Sequence, residues 1–164
     1  MPTLKRIRVR NADVRDLEVI LALVPRLREF GPDALRPIED LDRAEHATLT
    51  NAARALPEDA LLVVAERTGH TGVAGVAYAE TVTDYFTRER HGHLAILIVA
   101  SDMEGQGVGR ALLDAVDHWC STRRYRLLTL NVFAANDRAR QVYERAGFRP
   151  DTVRYVKEIQ RLSP

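Results

Sequence analysis

The chain has 164 residues, 46% of them hydrophobic, and its 24 basic and 23 acidic side chains leave a net charge of +1. This composition predicts one domain, 1–164, with a real core, and the balanced charge argues against a nucleic-acid-binding surface. A single cysteine, Cys120, excludes an intramolecular disulfide and suits a reducing compartment. The longest apolar run, 94–100, is too short to cross a bilayer. Because Lys5 and Arg6 interrupt the N-terminal segment, we expect no signal peptide and a soluble cytoplasmic protein.

The first part of the chain predicts one strand and two helices before a hairpin. Residues 4–10 favour a short strand, and Asp13 is suited to cap the helix that follows. A second helical pattern extends over about 38–56 and ends before a proline. The β-branched segments 60–66 and 72–82, joined by the turn-like RTGHTG, predict a β-hairpin.

The second half of the chain alternates strands and helices. An uninterrupted apolar strand over 93–100 is of the type that is covered on both faces. A glycine-containing loop and a long helix follow it, and then a strand over 126–133. Asn136 is a good cap for the next helix, and Gly147 suits its left-handed end. A last alternating segment, 152–159, predicts a final strand.

Three glycines at alternate positions, Gly105, Gly107 and Gly109, lie between the apolar strand and the long helix. Free N–H groups at a helix N-terminus attract anions, and glycine lets a phosphate approach the backbone closely. The loop therefore predicts a pyrophosphate site, the alternative being a tight turn without a ligand. It matches neither common nucleotide-binding pattern, because Arg110 occupies a position that both patterns give to glycine.

The segment EGQGVGRALL resembles the acetyl-CoA loop of the GNAT superfamily of acyl-CoA-dependent N-acyltransferases. The family pattern is Arg or Gln, two residues, Gly, one residue, then Gly or Ala, and it maps onto 104–109 with Glu104 at the Arg or Gln position. A second family pattern, N-x-x-A-x-x-x-Y-x-x-x-G-F, follows at the expected distance. Its matches are Asn136, Ala139, Tyr143, Gly147 and Phe148. Two motifs in the expected order are more specific than either alone.

The resemblance implies a GNAT-type α/β (α+β) fold, with a mixed, mostly antiparallel central sheet and helices on both faces. It implies an N-acetyltransferase that moves an acetyl group from acetyl-CoA to a primary amine of a small molecule or peptide by direct attack. A homodimer is compatible with it. The alternative from another class is a non-catalytic CoA-binding domain with a regulatory or interaction role.

By this resemblance the acetyl-CoA site comprises Ile98, Val99, Glu104, Gly105, Gln106, Gly107, Val108, Gly109, Arg110, Asn136, Ala139 and Tyr143. Main-chain groups near Ile98 and Val99 would hold the acetyl carbonyl and the pantetheine arm. A carboxylate at Glu104 would repel the pyrophosphate if it faced it, and would be harmless if it pointed to solvent. Acidic residues near the start of the second helix, Glu39, Asp40, Asp42 and Glu45, would suit a cationic acceptor or would simply be exposed.

Acyl transfer to an amine needs a base for the acceptor and an acid for the departing thiolate. Tyr143 resembles the family's general acid, the alternative being a core aromatic residue. Candidate bases are Glu80, His91 and His93. On an ideal strand the two histidines share a face with Ala95, Leu97 and Val99, and the alternative places them in solvent at the strand end. Two histidines without a third ligand do not define a metal site, so we predict no metal.

Overall fold

The centre of the protein is one five-stranded sheet in the order β1-β2-β3-β4-β5, found in a computed structural model that describes residues 6–29 and 35–160. The strands are β1 (Ile7–Asn11), β2 (Ala60–Arg67), β3 (Gly75–Thr83), β4 (Arg90–Val99) and β5 (Leu128–Leu130). Neighbours from β1 to β4 are antiparallel, whereas β5 runs parallel to β4. The predicted hairpin of β2 and β3 and the mixed, mostly antiparallel sheet are confirmed.

Helices cover both faces of this sheet, as predicted. They are α1 (Leu17–Leu23), α2 (Ile38–Arg54), α3 (Val108–Thr122) and α4 (Asp137–Arg145), with short 3₁₀ turns at Val14–Asp16, Val24–Arg28 and Ser101–Met103. α1 and α2 bury Ile20 and Leu49 on one face, and α3 buries Leu112 and Val116 on the other. Within the described residues, none of the helices has the length and hydropathy that a membrane span requires.

Local signals in the sequence place most helix ends correctly. Asp13 begins the first helical segment through a capping box with Asp16, and the Asn136 side chain accepts a hydrogen bond of 3.0 Å from the Ala139 N–H at the start of α4. Gly147 follows α4 with a φ of 95°, the left-handed conformation expected there. The cap residues thus set where α4 begins and ends.

β4 contains a β-bulge at Ala95. Tyr78 of β3 lies opposite Ile96, but its neighbour Ala79 lies opposite Leu94, so Ala95 has no partner in β3. An extra residue in one strand reverses the alternation of its side chains. A given face of the sheet therefore receives odd-numbered residues from one half of β4 and even-numbered residues from the other half.

The end of the chain differs from its prediction. The predicted strand over 152–159 is wrong, because residues 151–160 have no regular secondary structure and are exposed throughout. Tyr155, for example, is 90% exposed. The predicted strand over 126–133 shortens to β5, whose last pair joins Leu130 to Leu94. β4 continues from there to Val99, and over 95–99 this edge has no strand partner among the described residues.

Candidate active site

The glycine loop has the backbone that the sequence predicts. Gly105 and Gly107 have φ values of 68° and 86°, in the left-handed region that favours glycine. Gly107 is the N-cap of α3, and its carbonyl accepts the first helical hydrogen bond, 3.0 Å from the Ala111 nitrogen. The N–H groups of the first turn of a helix have no partner within that helix. The loop therefore directs a set of donors, together with the positive end of the helix dipole, at one point.

Glu104 is held by two arginines from distant segments. Its carboxylate forms ion pairs with Arg26, in the 3₁₀ turn after α1, and with Arg138, in the first turn of α4. Arg26 also donates from Nε to the Val99 carbonyl at the end of β4, at 3.3 Å. The acidic residue that departs from the family pattern thus has its charge matched by guanidinium groups on both sides. Sequence reasoning missed Arg26, because no local pattern links it to the loop.

Tyr143 lies on α4 and packs against the core on the α3 side of the sheet. Its ring meets that of Phe148 edge to face, with 5.8 Å between the centroids, and its carbonyl accepts from the Phe148 N–H at 3.0 Å. Burial raises the pKa of the Tyr143 phenol above its ordinary value. The phenol therefore stays protonated near neutral pH, as a general acid must. The aromatic ring serves packing at the same time.

The two candidate histidines converge on one hydroxyl group. Thr129 Oγ1 lies 3.2 Å from His91 Nε2 and 2.9 Å from His93 Nδ1, and 3.4 Å from the Gly92 carbonyl oxygen. His91 is only 7% exposed, and its Nδ1 is buried without a hydrogen-bond partner. His93 is half-buried. The alternative that both histidines are solvated strand-end residues is wrong.

The predicted face of these histidines is also wrong, and the bulge at Ala95 is the reason. His93 lies opposite Glu80 and His91 opposite Val82, on the side of β3 that carries Tyr78. Directly opposite residues share a face, so the histidines lie with Ile96 and Ile98 on the α1 and α2 side of the sheet. They do not share a face with Leu97 and Val99, which pack toward α3.

Charge around His93 comes mainly from β3 and from its own strand. Burial lowers the pKa of the His93 imidazole below its ordinary value of 6.5, Glu80 opposes that shift, and His91 adds to it. Glu80 also accepts a long hydrogen bond of 3.4 Å from the Tyr78 hydroxyl. His93 is therefore mostly neutral near pH 7 and able to accept a proton. Within the described residues, no group of three or more His, Cys, Asp or Glu is placed to hold a metal ion.

Thr129 is the site residue that sequence reasoning missed most clearly. A signal did exist, since Thr129 is the one polar residue between Leu127 and Leu130, in a segment already predicted as a strand. Polar groups inside an apolar strand need hydrogen-bond partners.

Two of the four acidic residues near the start of α2 already have arginine partners: Asp42 pairs with Arg28 at 2.5 Å and Asp40 with Arg43 at 2.8 Å.

Residues 25–148 match the model of the Acetyltransferase (GNAT) family. The chain belongs to this family. It is 46% identical over 57 residues to a mycothiol acetyltransferase of Propionibacterium freudenreichii subsp. shermanii, covering 35% of this chain and 18% of that protein. It is 44% identical over 50 residues to the 5-NmdU N-acetyltransferase of Pseudomonas phage PaMx11, covering 30% and 34%. The chain thus spans no more than about a third of either relative.

A solved structure supports the fold over the whole chain. The aminoglycoside N-acetyltransferase AAC(6')-Iy in complex with CoA superposes with a TM-score of 0.72 over 99% of both chains, at 21% sequence identity. At this level of identity the likeness concerns the fold alone. It agrees with the five-stranded sheet and with the helices on its two faces.

Proposed function

We propose that the protein transfers an acetyl group from acetyl-CoA to a primary amine by direct attack of the amine on the thioester. The observation that carries the proposal is the left-handed glycine loop at the N-terminus of α3, which follows the end of β4. Membership of an acetyltransferase family supports the same conclusion. The similar aminoglycoside acetyltransferase is a CoA complex, and we expect acetyl-CoA as the co-substrate here.

The pyrophosphate binds to main-chain N–H groups in this proposal. Val108 is 1% exposed, so it contributes only its backbone, as Gly105, Gly107 and Gly109 do. Gln106 and Arg110 are exposed and sit beside these N–H groups. Asn136 and Ala139 pack the start of α4 against the arm of CoA while bonded to each other. Main-chain groups of Ile98 and Val99, on the edge of β4 that lacks a strand partner, hold the pantetheine and the acetyl carbonyl.

His93 is the general base among the three candidates. Its Nδ1 is bonded to Thr129, which leaves Nε2 for the acceptor, whereas His91 is buried and faces the same hydroxyl with Nε2. His93 Nε2 takes a proton from the acceptor ammonium group, and the free amine then attacks the acetyl carbonyl carbon. Glu80 acts on the charge of His93 without being the base itself.

Tyr143 is the general acid. When the tetrahedral intermediate collapses, the carbon–sulfur bond breaks and the phenol of Tyr143 gives its proton to the departing thiolate. A phenol held near its ordinary pKa of ~10 or above donates only where a base such as a thiolate develops close to it. The attacking nitrogen loses its second proton to solvent as the amide forms. Solvent returns a proton to Tyr143 and the proton held by His93 leaves to solvent, so the reaction releases one proton in all.

The acceptor is a cationic amine in this proposal, with its class left to experiment. Glu45 on α2 is half-buried, and burial raises the pKa of its carboxyl, which makes its negative charge a weaker attraction for a cation. We also infer a cytoplasmic location, since the one cysteine of the sequence, Cys120, is a free thiol, which suits a reducing compartment. A homodimer is compatible with the proposal.

Release of free CoA, measured with a thiol reagent, tests the function directly. The amines to compare are aminoglycosides, polyamines, amino sugars and peptides with free N-termini, each against acetyl-CoA alone. We expect one class to increase thiol release far above the hydrolytic background, with the acetylated amine visible by mass spectrometry. Tight CoA binding with no acetylation of any class would favour the CoA-binding interaction domain instead.

A further inference from the structure

Three polar side chains on β4 and β5 form a closed hydrogen-bonded group on the α1 and α2 side of the sheet. Thr129 Oγ1 stands between His91 Nε2, at 3.2 Å, and His93 Nδ1, at 2.9 Å. Its third neighbour is the Gly92 carbonyl oxygen at 3.4 Å. A hydroxyl group has one proton to donate and two lone pairs to accept with. The number of groups around Thr129 therefore matches its full capacity.

The protons in this group can be assigned from burial. His91 Nδ1 is buried and has no partner. An unpaired buried N–H is rarer and more costly than an unpaired acceptor, so the His91 proton belongs on Nε2, where it is donated to Thr129. One lone pair of the hydroxyl oxygen is then used. The Gly92 carbonyl can only accept, so the Thr129 hydroxyl donates its proton there. The second lone pair of the hydroxyl oxygen is then available to accept the Nδ1–H of His93.

From this arrangement we propose that Thr129 is a positioning residue: its hydroxyl oxygen accepts the Nδ1–H of His93 and leaves Nε2 as the nitrogen that takes the proton from the acceptor amine. The inference rests on the proposed function for its catalytic meaning. The tautomer itself is a property of the protein without substrate. When His93 becomes protonated, Nδ1 is still a donor, so the same hydrogen bonds persist and the ring does not need to turn.

Among the described residues, two charged or titratable groups, Glu80 and His91, shift the pKa of His93. β3 contributes Glu80 and Tyr78, β4 contributes His91, and β5 contributes only the neutral Thr129. In the loop after β3, the pKa of Asp84 is lowered mainly by hydrogen bonds from Thr87 and Phe86, with a small contribution from His91. A change at Thr129 therefore removes one hydrogen bond to His93 while the charges around it stay the same.

Nitrogen NMR of the histidine rings tests the tautomer without any substrate. In ¹⁵N-labelled protein, with peaks assigned through His91→Gln and His93→Gln, we expect neutral His93 to carry its proton on Nδ1. In Thr129→Val the proton should move to Nε2, because the acceptor for Nδ1–H is gone. Thr129→Ser, which keeps the hydroxyl, should restore the Nδ1–H form. A neutral His93 with its proton on Nε2 in the parent protein would overturn the proposal.

Thr81→Val is the matched control. Thr81 Oγ1 is also half-buried and makes two hydrogen bonds, to the Asp59 carbonyl and the Tyr125 hydroxyl, both at 2.7 Å, but it lies on the other face of the sheet. The Thr81→Val variant should be less stable than the parent protein, but the tautomer of His93 should not change. An equal change in the His93 signals of both variants would mean that Thr129 acts only through general structure, and would contradict the proposal.

Kinetics then connect the tautomer to the reaction. With an accepted amine, Thr129→Val should lower kcat/KM for the amine by about tenfold or more, since orientation and proton transfer both contribute to the rate. KM for acetyl-CoA should stay within about twofold. The acid limb of the pH profile should move to lower pH, because a hydrogen bond to the protonated ring is lost. Failure of the proposed function would leave the NMR result standing, so the two outcomes are distinguishable.

Discussion

The carboxylate of Glu104 forms an ion pair with the guanidinium of Arg138, which lies 34 residues further along the chain. Arg26 pairs with the same carboxylate from the other side. The loop that opens α3 is therefore tied both to α4 and to the turn after α1. In the proposed CoA site a phosphate would meet two arginines that already have a carboxylate partner, and we expect its affinity to reflect that competition.

The first prediction follows from this competition. Glu104→Gln should tighten binding of CoA by about threefold to tenfold at low salt, since removal of one negative charge frees guanidinium charge for the ligand. The gain should fade at high salt. Calorimetry at two ionic strengths measures both effects. Glu89→Gln, which changes the net charge equally at the opposite end of β4, should leave affinity unchanged. Weaker binding by Glu104→Gln would mean that the carboxylate is needed to hold the arginines in place.

A second prediction concerns the space over Gly107. A Cβ atom there would lie 3.5 Å from Ile7 Cδ1, an ordinary contact, at a φ of 86°. Gly107→Ala should therefore fold, with a strain cost of about 1–2 kcal/mol, and should weaken CoA binding about tenfold by obstructing the phosphate. Gly69 has a similar φ of 83° and open space around it, so Gly69→Ala is a control that introduces the same backbone strain outside the loop. Equal affinities of the two variants in calorimetry would exclude a backbone phosphate site.

The third prediction separates the two roles of Tyr143. Tyr143→Phe keeps the ring and its contact with Phe148, and should leave thermal stability nearly unchanged. Loss of the proton donor should lower kcat by about 10²–10⁴ without changing KM for acetyl-CoA. Tyr125→Phe is the control, since it removes a hydroxyl that is bonded to Thr81 and should cost stability with little loss of kcat. A kcat for Tyr143→Phe near that of the parent would leave Tyr143 as a packing residue only.

The fourth prediction concerns pH. Because burial lowers the pKa of His93, kcat/KM for the amine should fall only as pH drops below about 6.5, its ordinary value. The unfolded chain binds this proton more readily than the folded one, so His93 also reduces stability as pH falls through the unfolded pKa. Glu80→Gln removes the charge that opposes the shift and should move the acid limb to still lower pH. An upward movement of the limb in this variant would mean that the Glu80 carboxylate does not stabilise the protonated imidazole of His93.

The local parts of the fold were predictable and the long-range parts were not. The glycine loop, the hairpin of β2 and β3, and the cap at Asn136 each follow from adjacent residues. The bulge at Ala95 leaves no trace in HLAILIVA, since an all-apolar run has no alternation whose phase could change. The contact between Arg26 and Glu104 depends on how α1 approaches the loop, which no short pattern encodes. The segment 152–159 alternates as a strand does, yet it lies exposed without pairing to β5.

The extra residue in β4 divides the strand into two halves whose side chains alternate out of step with each other. Up to His93 the odd positions look toward α1 and α2, and from Ile96 onward the even positions do so. The positions of β4 that tolerate a polar substitution should therefore change at Ala95 from one set of alternate residues to the other. Deletion of that one alanine would place Leu94 next to Ile96, so that β4 would alternate regularly along its whole length and His91 and His93 would keep their present face. The deletion should instead remove the local bend and extra twist that a bulge gives a strand, and so change how the segment from Ile96 to Val99 is directed relative to the histidines.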